Sequence, residues 1–217
     1  MEKQFYFQLS VTDEQIHYAK QLVEYSMANH KVPNIWDGTL QQHKTVDLRF
    51  TGSLGEVVFA DTYQLERPIR AFGATDGQDW GKDFELEIDG KYQNFDIKTM
   101  RRKSNVFYTD YVLNIPANQL KRANSLTHYY FHISLHEQSP NNFIASFIGY
   151  VNKIAIIEQK IGKLYLANTT RTRGNGTSFT FLKDTYEIDF KDFCPPPQNQ
   201  KIENRTDYLK REIRTKK

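Results

Sequence analysis

Apolar residues recur three and four positions apart at Ile16, Ala19, Leu22, Val23 and Met27, a spacing that predicts an amphipathic helix over residues 13–30. Its start is specified twice: Thr12 and Gln15 have capping-box spacing, and Val11 and Ile16 stand where a hydrophobic staple closes. Residues 34–44 read as a loop. A second helix is expected to open at Gly52 or Ser53 and run to Tyr63, with Leu54, Val57 and Val58 on one side and Phe59, Ala60 and Tyr63 on the other. Apolar on both sides, it should be buried between layers, which leaves Glu56 as a carboxylate that needs a partner.

From Lys82 to Met100 the period changes to two. Phe84, Leu86 and Ile88 alternate with Asp83, Glu85 and Glu87; Phe95 and Ile97 alternate with Asn94, Asp96 and Lys98. Between the runs stands Asp89-Gly90, a preferred type I′ turn, so a β-hairpin is expected in which Ile88 pairs with Lys91 and Asp83 faces Asp96. Further strands are expected over 106–115, 128–136, 143–149, 163–168, 178–182 and 186–190, with a short Pro-led helix at 116–124. The reading is one α/β domain of mixed α+β character over residues 1–197, with its core at about 52–149. A basic arm, 198–217, follows, helical where Ile202, Tyr208, Leu209 and Ile213 occur.

Composition narrows the class. A chain of 217 residues with 39% hydrophobic and 25% charged residues is long enough to bury a core without disulfides or a structural metal. The single Cys194 rules out an internal disulfide framework, and no apolar run has the length of a signal peptide or a membrane helix, so an intracellular, cytoplasmic protein is expected. The net charge of +3 is local: the last twenty residues hold seven Lys/Arg against three acids, which leaves the body slightly acidic. Bulk charge therefore does not announce a nucleic-acid partner, and any such case rests on a site.

The hairpin supplies the site. Two carboxylates opposite each other on one face of an antiparallel pair have Cβ atoms about 4.5 to 5.5 Å apart and repel. Lys98, on the same face as Asp96, offsets one charge, and a divalent cation offsets two; Mg²⁺ takes one or two protein carboxylates and keeps several waters. A lysine beside such a cation suits phosphodiester hydrolysis.

The segment GKDFELEIDGKYQNFDIKT, residues 81–99, resembles the core of the PD-(D/E)XK nuclease superfamily, with Asp83 as the first acid and Asp96-Ile97-Lys98 as the (D/E)-x-K. GSLGEVVFAD, 52–61, resembles its first core helix, which often carries a glutamate, here Glu56. IPANQLKRAN and HYYFHISL are similar to the α-β continuation of that core; Lys82 stands where the family usually has proline. The resemblance covers about 52–149. It implies a restriction-endonuclease-like mixed sheet flanked by helices, Mg²⁺ or Mn²⁺ held by Asp83, Asp96 and the Ile97 carbonyl with Glu56 completing the shell, and Lys98 acting on the attacking water. Duplex DNA is the implied substrate, and a homodimer is compatible with it.

Arg101, Arg102 and Lys103 follow the motif directly, and Arg171 and Arg173 flank a Gly174-Asn175-Gly176 turn; both clusters are candidate phosphate contacts. Each has a plainer reading as a solvated surface. Ser53 and Glu56 also have capping-box spacing. His128, His132 and His136 would suit a metal on a helix, but they lie on a strand pattern and read as a face of it. Two rivals stand beside the nuclease: a non-catalytic nucleic-acid-binding or assembly protein that keeps the fold, and a nuclease acting on RNA or branched structures.

Overall fold

The computed structural model describes residues 4–29, 42–69, 81–172, 176 and 178–215. Eleven strands are described: β1 (Phe5–Ser10), β2 (Phe84–Ile88), β3 (Lys91–Arg102), β4 (Val112–Pro116), β5 (Tyr129–Ser139), β6 (Asn142–Asn152), β7 (Lys163–Tyr165), β8 (Thr170–Thr172), β9 (Ser178–Thr180), β10 (Thr185–Asp189) and β11 (Leu209–Glu212). Six form a mixed sheet in the order β11-β1-β6-β5-β3-β2, in which β3 and β5 run parallel and the other neighbours antiparallel. A small sheet, β4-β10-β7, and the β8-β9 ribbon complete the set. The protein is thus α+β with a mixed sheet.

The pleat of the central strands divides the core. Odd-numbered Phe95, Ile97, Phe131, Ile133 and Leu135 face α1 (Asp13–Asn29) and α2 (Gln42–Tyr63), meeting Ile16, Val23, Leu54, Val58 and Phe59. Tyr130, Ile148 and Val151 face the other way, onto Phe107, Leu113, Ile115, Tyr186, Ile188 and Phe190. The expected flanking by helices therefore holds on one face. The other is covered mainly by the β4-β10-β7 sheet, with α3 (Ala117–Leu120) and α4 (Lys153–Ile157) adding Ala117, Leu120 and Ile156.

The α1 start is the capping box read from the sequence: the Gln15 amide donates to Thr12 Oγ1 at 3.2 Å and the Thr12 amide to Gln15 Oε1 at 2.9 Å. Helix α2 corrects the expectation, because it begins at Gln42 rather than near Ser53. Residues 42–44 are helical, and the rest of the expected loop, 34–41, lies outside the described residues. Burial outweighs the low propensity of Gly52 and Gly55: a Cβ at Gly55 would overlap Thr99 Oγ1, so the missing side chain is what lets α2 lie this close to β3. Ser53 and Glu56 consequently stand mid-helix, not at a cap.

Between 106 and 115 only β4 is regular, and it extends to Pro116. The C-terminal segment contributes α5 (Gln200–Glu203), which buries Ile202, and then β11, which pairs with β1; residues 209–212 are strand rather than helix. Among the described residues no helix is long and apolar enough to cross a membrane.

Candidate active site

The β2–β3 hairpin has the expected register. Ile88 pairs with Lys91 and Phe84 with Phe95, around a turn in which Asp89 and Gly90 have φ of 52° and 75°. Phe84, Phe95 and Ile97 are drawn to the helical side, which turns Asp96 and Lys98 to the opposite face.

Asp83 sits at the bend just before β2. Its amide donates to the Phe95 carbonyl at 2.9 Å, and its Oδ2 accepts the Ile97 amide at 2.6 Å. Since the amide and carbonyl of one strand residue point to the same edge, the Ile97 carbonyl lies on the edge that Asp83 caps. Asp96 is 13% exposed, and its Oδ1 lies 2.5 Å from Lys98 Nζ. Gly81 roofs its other oxygen: a Cβ there would fall 3.5 Å from Asp96 Oδ2 and would overlap Thr127 Oγ1. That threonine donates to the Gly81 carbonyl at 2.6 Å, tying the approach to β2 down onto the start of β5.

Lys98 is held from three sides. Asp96 takes its ammonium, the Tyr130 ring centroid lies 5.5 Å from Nζ, and His132 Nδ1 donates to its backbone carbonyl at 2.7 Å. His132 is fully buried. Burial pushes its pKa down to about 3, Arg102 adds to the effect, and the bond to Lys98 opposes it. The ring is therefore neutral with the proton on Nδ1, and Nε2 accepts from Ser134 Oγ at 3.0 Å. The Tyr130 hydroxyl is held protonated by burial and by the charge of Asp96.

Sequence reasoning missed Lys153. It opens α4, donates its amide to the His128 carbonyl at 2.9 Å, and is 9% exposed. Burial pushes its pKa down and the Asp96 carboxylate pulls it back up. No motif marks it; the antiparallel β5–β6 pairing is what carries it to this face.

The structure joins Asp83 to the Ile97 amide and Asp96 to Lys98. Glu56 is half-buried on α2, in the layer that covers the other face of the sheet. Among the described residues no group of three or more His, Cys, Asp or Glu side chains is gathered. The donors at hand are two carboxylates and a carbonyl, all hard oxygens, which fits Mg²⁺ or Mn²⁺ with a partly aqueous shell.

The run 101–103 does not form one patch. Arg101 lies over Phe50 and Phe143, 5.6 and 5.5 Å from their centroids, and pairs with Glu137. Arg102 points the other way, donating to the Val112 carbonyl at 2.7 Å beside Tyr111 and Phe190. Lys103 is exposed. Alternation along a strand was the signal for this split. Arg171 pairs with buried Glu187 and lies over Tyr165; Arg173 is outside the described residues. His136 Nδ1 faces the Arg102 carbonyl at 3.2 Å, and His128 Nδ1 accepts the Asn94 amide at 3.1 Å, so all three strand histidines bond to backbone.

Comparison with protein-family models, with curated proteins and with solved structures returns no match.

Proposed function

We propose that the chain is a metal-dependent deoxyribonuclease with a restriction-endonuclease-like core, hydrolysing phosphodiester bonds of duplex DNA. The observation that carries this reading is the hairpin face on which Asp96 holds Lys98 at 2.5 Å while Asp83 caps the adjoining edge at Ile97. The order of α2, the hairpin, α3 and a strand parallel to β3 also agrees with the order that the resemblance implies.

In this reading Asp83, Asp96 and the Ile97 carbonyl would hold Mg²⁺ or Mn²⁺, while Glu56, on the helical side of the sheet, stands outside the shell that the resemblance gives it. Such a cation would supply charge to polarise a phosphoryl oxygen and would lower the pKa of a coordinated water. Lys98 orients the attacking water and faces the negative charge that develops on the phosphate. It is positioned beforehand, since Asp96, Tyr130 and His132 hold it in one geometry. Exposed Lys103 contributes a phosphate contact outside the site, and Arg101, Arg102, Arg171 and Arg173 remain candidates for others. Cutting both strands calls for two copies of the site, hence a homodimer on the DNA.

A second reading has its own observation. The Lys98 ammonium and the Ile97 amide give both aspartates a partner within the chain, as a non-catalytic nucleic-acid-binding or assembly protein would require. Incubation with supercoiled plasmid separates the two. The nuclease nicks or linearises it with Mg²⁺, stops with EDTA, and loses at least about 10²-fold in rate in Asp83→Ala, Asp96→Ala and Lys98→Ala. Equal cleavage by wild type and all three variants would refute the site. Duplex, single-stranded, branched and RNA oligonucleotides then sort the substrate.

A further inference from the structure

On the site face of β3 the pleat places Tyr92 and Asn94 in line with Asp96 and Lys98, toward the hairpin turn. The register is unbroken from Lys91 to Phe95 against β2 and from Phe95 to Arg102 against β5, so the four side chains share one side. Tyr92 is 74% exposed, and at about 3.3 Å per residue its Cα lies roughly 13 Å from that of Asp96. Asn94 is fastened between them: its backbone amide donates to His128 Nδ1 at 3.1 Å and its side-chain amide to the Leu126 carbonyl at 2.9 Å. Leu126, itself 50% exposed, therefore stands beside the same row. An exposed ring and an exposed leucine thus adjoin the face that carries the proposed chemistry.

We propose that Tyr92 stacks on an unpaired nucleobase of the substrate, and hence that the preferred DNA is a duplex with a single-stranded junction close to the scissile phosphate. This rests on the nuclease reading and narrows its substrate class. Charge decides which part of the nucleic acid the ring meets. Exposed Glu87 lies directly opposite Tyr92 in the hairpin, so a phosphate is repelled there, whereas the flat face of a base carries no net charge. The cations that suit phosphates lie further along the strand, at Lys98, and just past its end, at exposed Lys103. A paired base must be pulled from its stack at a cost in energy, and a base already unpaired is spared most of it. Stacking on an aromatic side chain tolerates any base, so the preference is for a structure rather than for a recognition sequence.

The test uses two oligonucleotide duplexes of one sequence, one fully paired and one with a short unpaired tail carrying 2-aminopurine at the junction. Binding is followed in Ca²⁺ and cleavage in Mg²⁺ for wild type, Tyr92→Ala, Tyr92→Phe and the control Leu182→Ala, which alters a 72% exposed side chain between β9 and β10. Wild type should bind the tailed duplex about 10- to 100-fold more tightly than the paired one and quench the 2-aminopurine. Tyr92→Ala should lose that preference and the quenching while it binds the paired duplex as wild type does. Tyr92→Phe, which keeps the ring, and Leu182→Ala should match wild type. The melting temperature should not move in any of them, because each change is on the surface. If Tyr92→Ala keeps the preference, or wild type has none but still cuts with Mg²⁺, this inference falls and the nuclease reading stands. Equal loss on both duplexes, or loss by Tyr92→Phe as well, would mark a contact other than stacking and overturn it. So would a dimer in light scattering that Tyr92→Ala dissociates, since a second copy would then occupy this surface. If wild type neither binds nor cuts, both fall together.

Discussion

In the folded protein His132 has no access to solvent, so acidification can charge it only at the expense of the fold. The ring is enclosed by the Lys98 carbonyl at 2.7 Å, Ser134 Oγ at 3.0 Å and the rings of Phe190 and Phe193, whose centroids lie 5.2 and 6.2 Å away. Its pKa falls from 6.5 to about 3, through burial first and the charge of Arg102 second. The unfolded chain therefore binds the proton that the folded chain refuses. The contribution is whole above the unfolded value and is lost as pH falls toward the folded one. The slope is about 1.4 kcal/mol per pH unit, and the total over the window is roughly 4 to 5 kcal/mol. That is comparable with the entire stability of a small domain, about 5 to 15 kcal/mol. The assay is urea denaturation of wild type and His132→Asn from about pH 7.5 to 4.5, asparagine keeping an N–H donor near Lys98 without titrating. The stability difference between the two should be constant above about pH 6.5 and should shrink by about 1.4 kcal/mol per unit below it. A difference that stays flat across the whole range would refute the assignment of a buried, neutral His132.

Gly55→Ala should cost about 1 to 3 kcal/mol by thermal melting, because the new Cβ meets the Thr99 side chain, and Thr99→Ala should recover part of the loss. Arg171→Met strands buried Glu187 and should destabilise by roughly 3 kcal/mol in urea. The double variant Arg171→Met/Glu187→Leu should return most of that, and DNA affinity measured on it isolates any phosphate contact by Arg171. Ile202→Ala should cost about 2 to 4 kcal/mol, since this side chain is 1% exposed in the core; a segment standing apart from the body would show almost no change.

The hairpin was legible because its information is local. Alternation, the Asp-Gly turn and the resulting register need no tertiary partner, and the shared face of Asp96 and Lys98 follows from that register; Asp83 stands just before the last pair, Phe84–Phe95, and instead bonds to the backbone of Phe95 and Ile97. The α1 cap was legible for the same reason. What escaped depends on distant packing. The start of α2 hides behind Gly52 and Ser53, residues that favour a break unless burial overrides them. The role of 209–212 as a strand is decided by the edge of β1, at the opposite end of the chain. Lys153 meets the start of β5 only through the β5–β6 pairing, where its amide bonds to the His128 carbonyl, and no short motif records such a pairing. The split of Arg101 from Arg102 could have been read, because neighbours on a strand point to opposite faces.

Calorimetric titration of Mg²⁺ into the protein, with Asp83→Asn, Asp96→Asn and Lys98→Met alongside, addresses the site most directly. The expected result is saturable binding by wild type that both aspartate variants lose. Binding should be tighter in Lys98→Met, where the ammonium no longer competes for Asp96 Oδ1 at 2.5 Å. Wild type that takes up no metal, or aspartate variants that bind it as wild type does, would contradict the site.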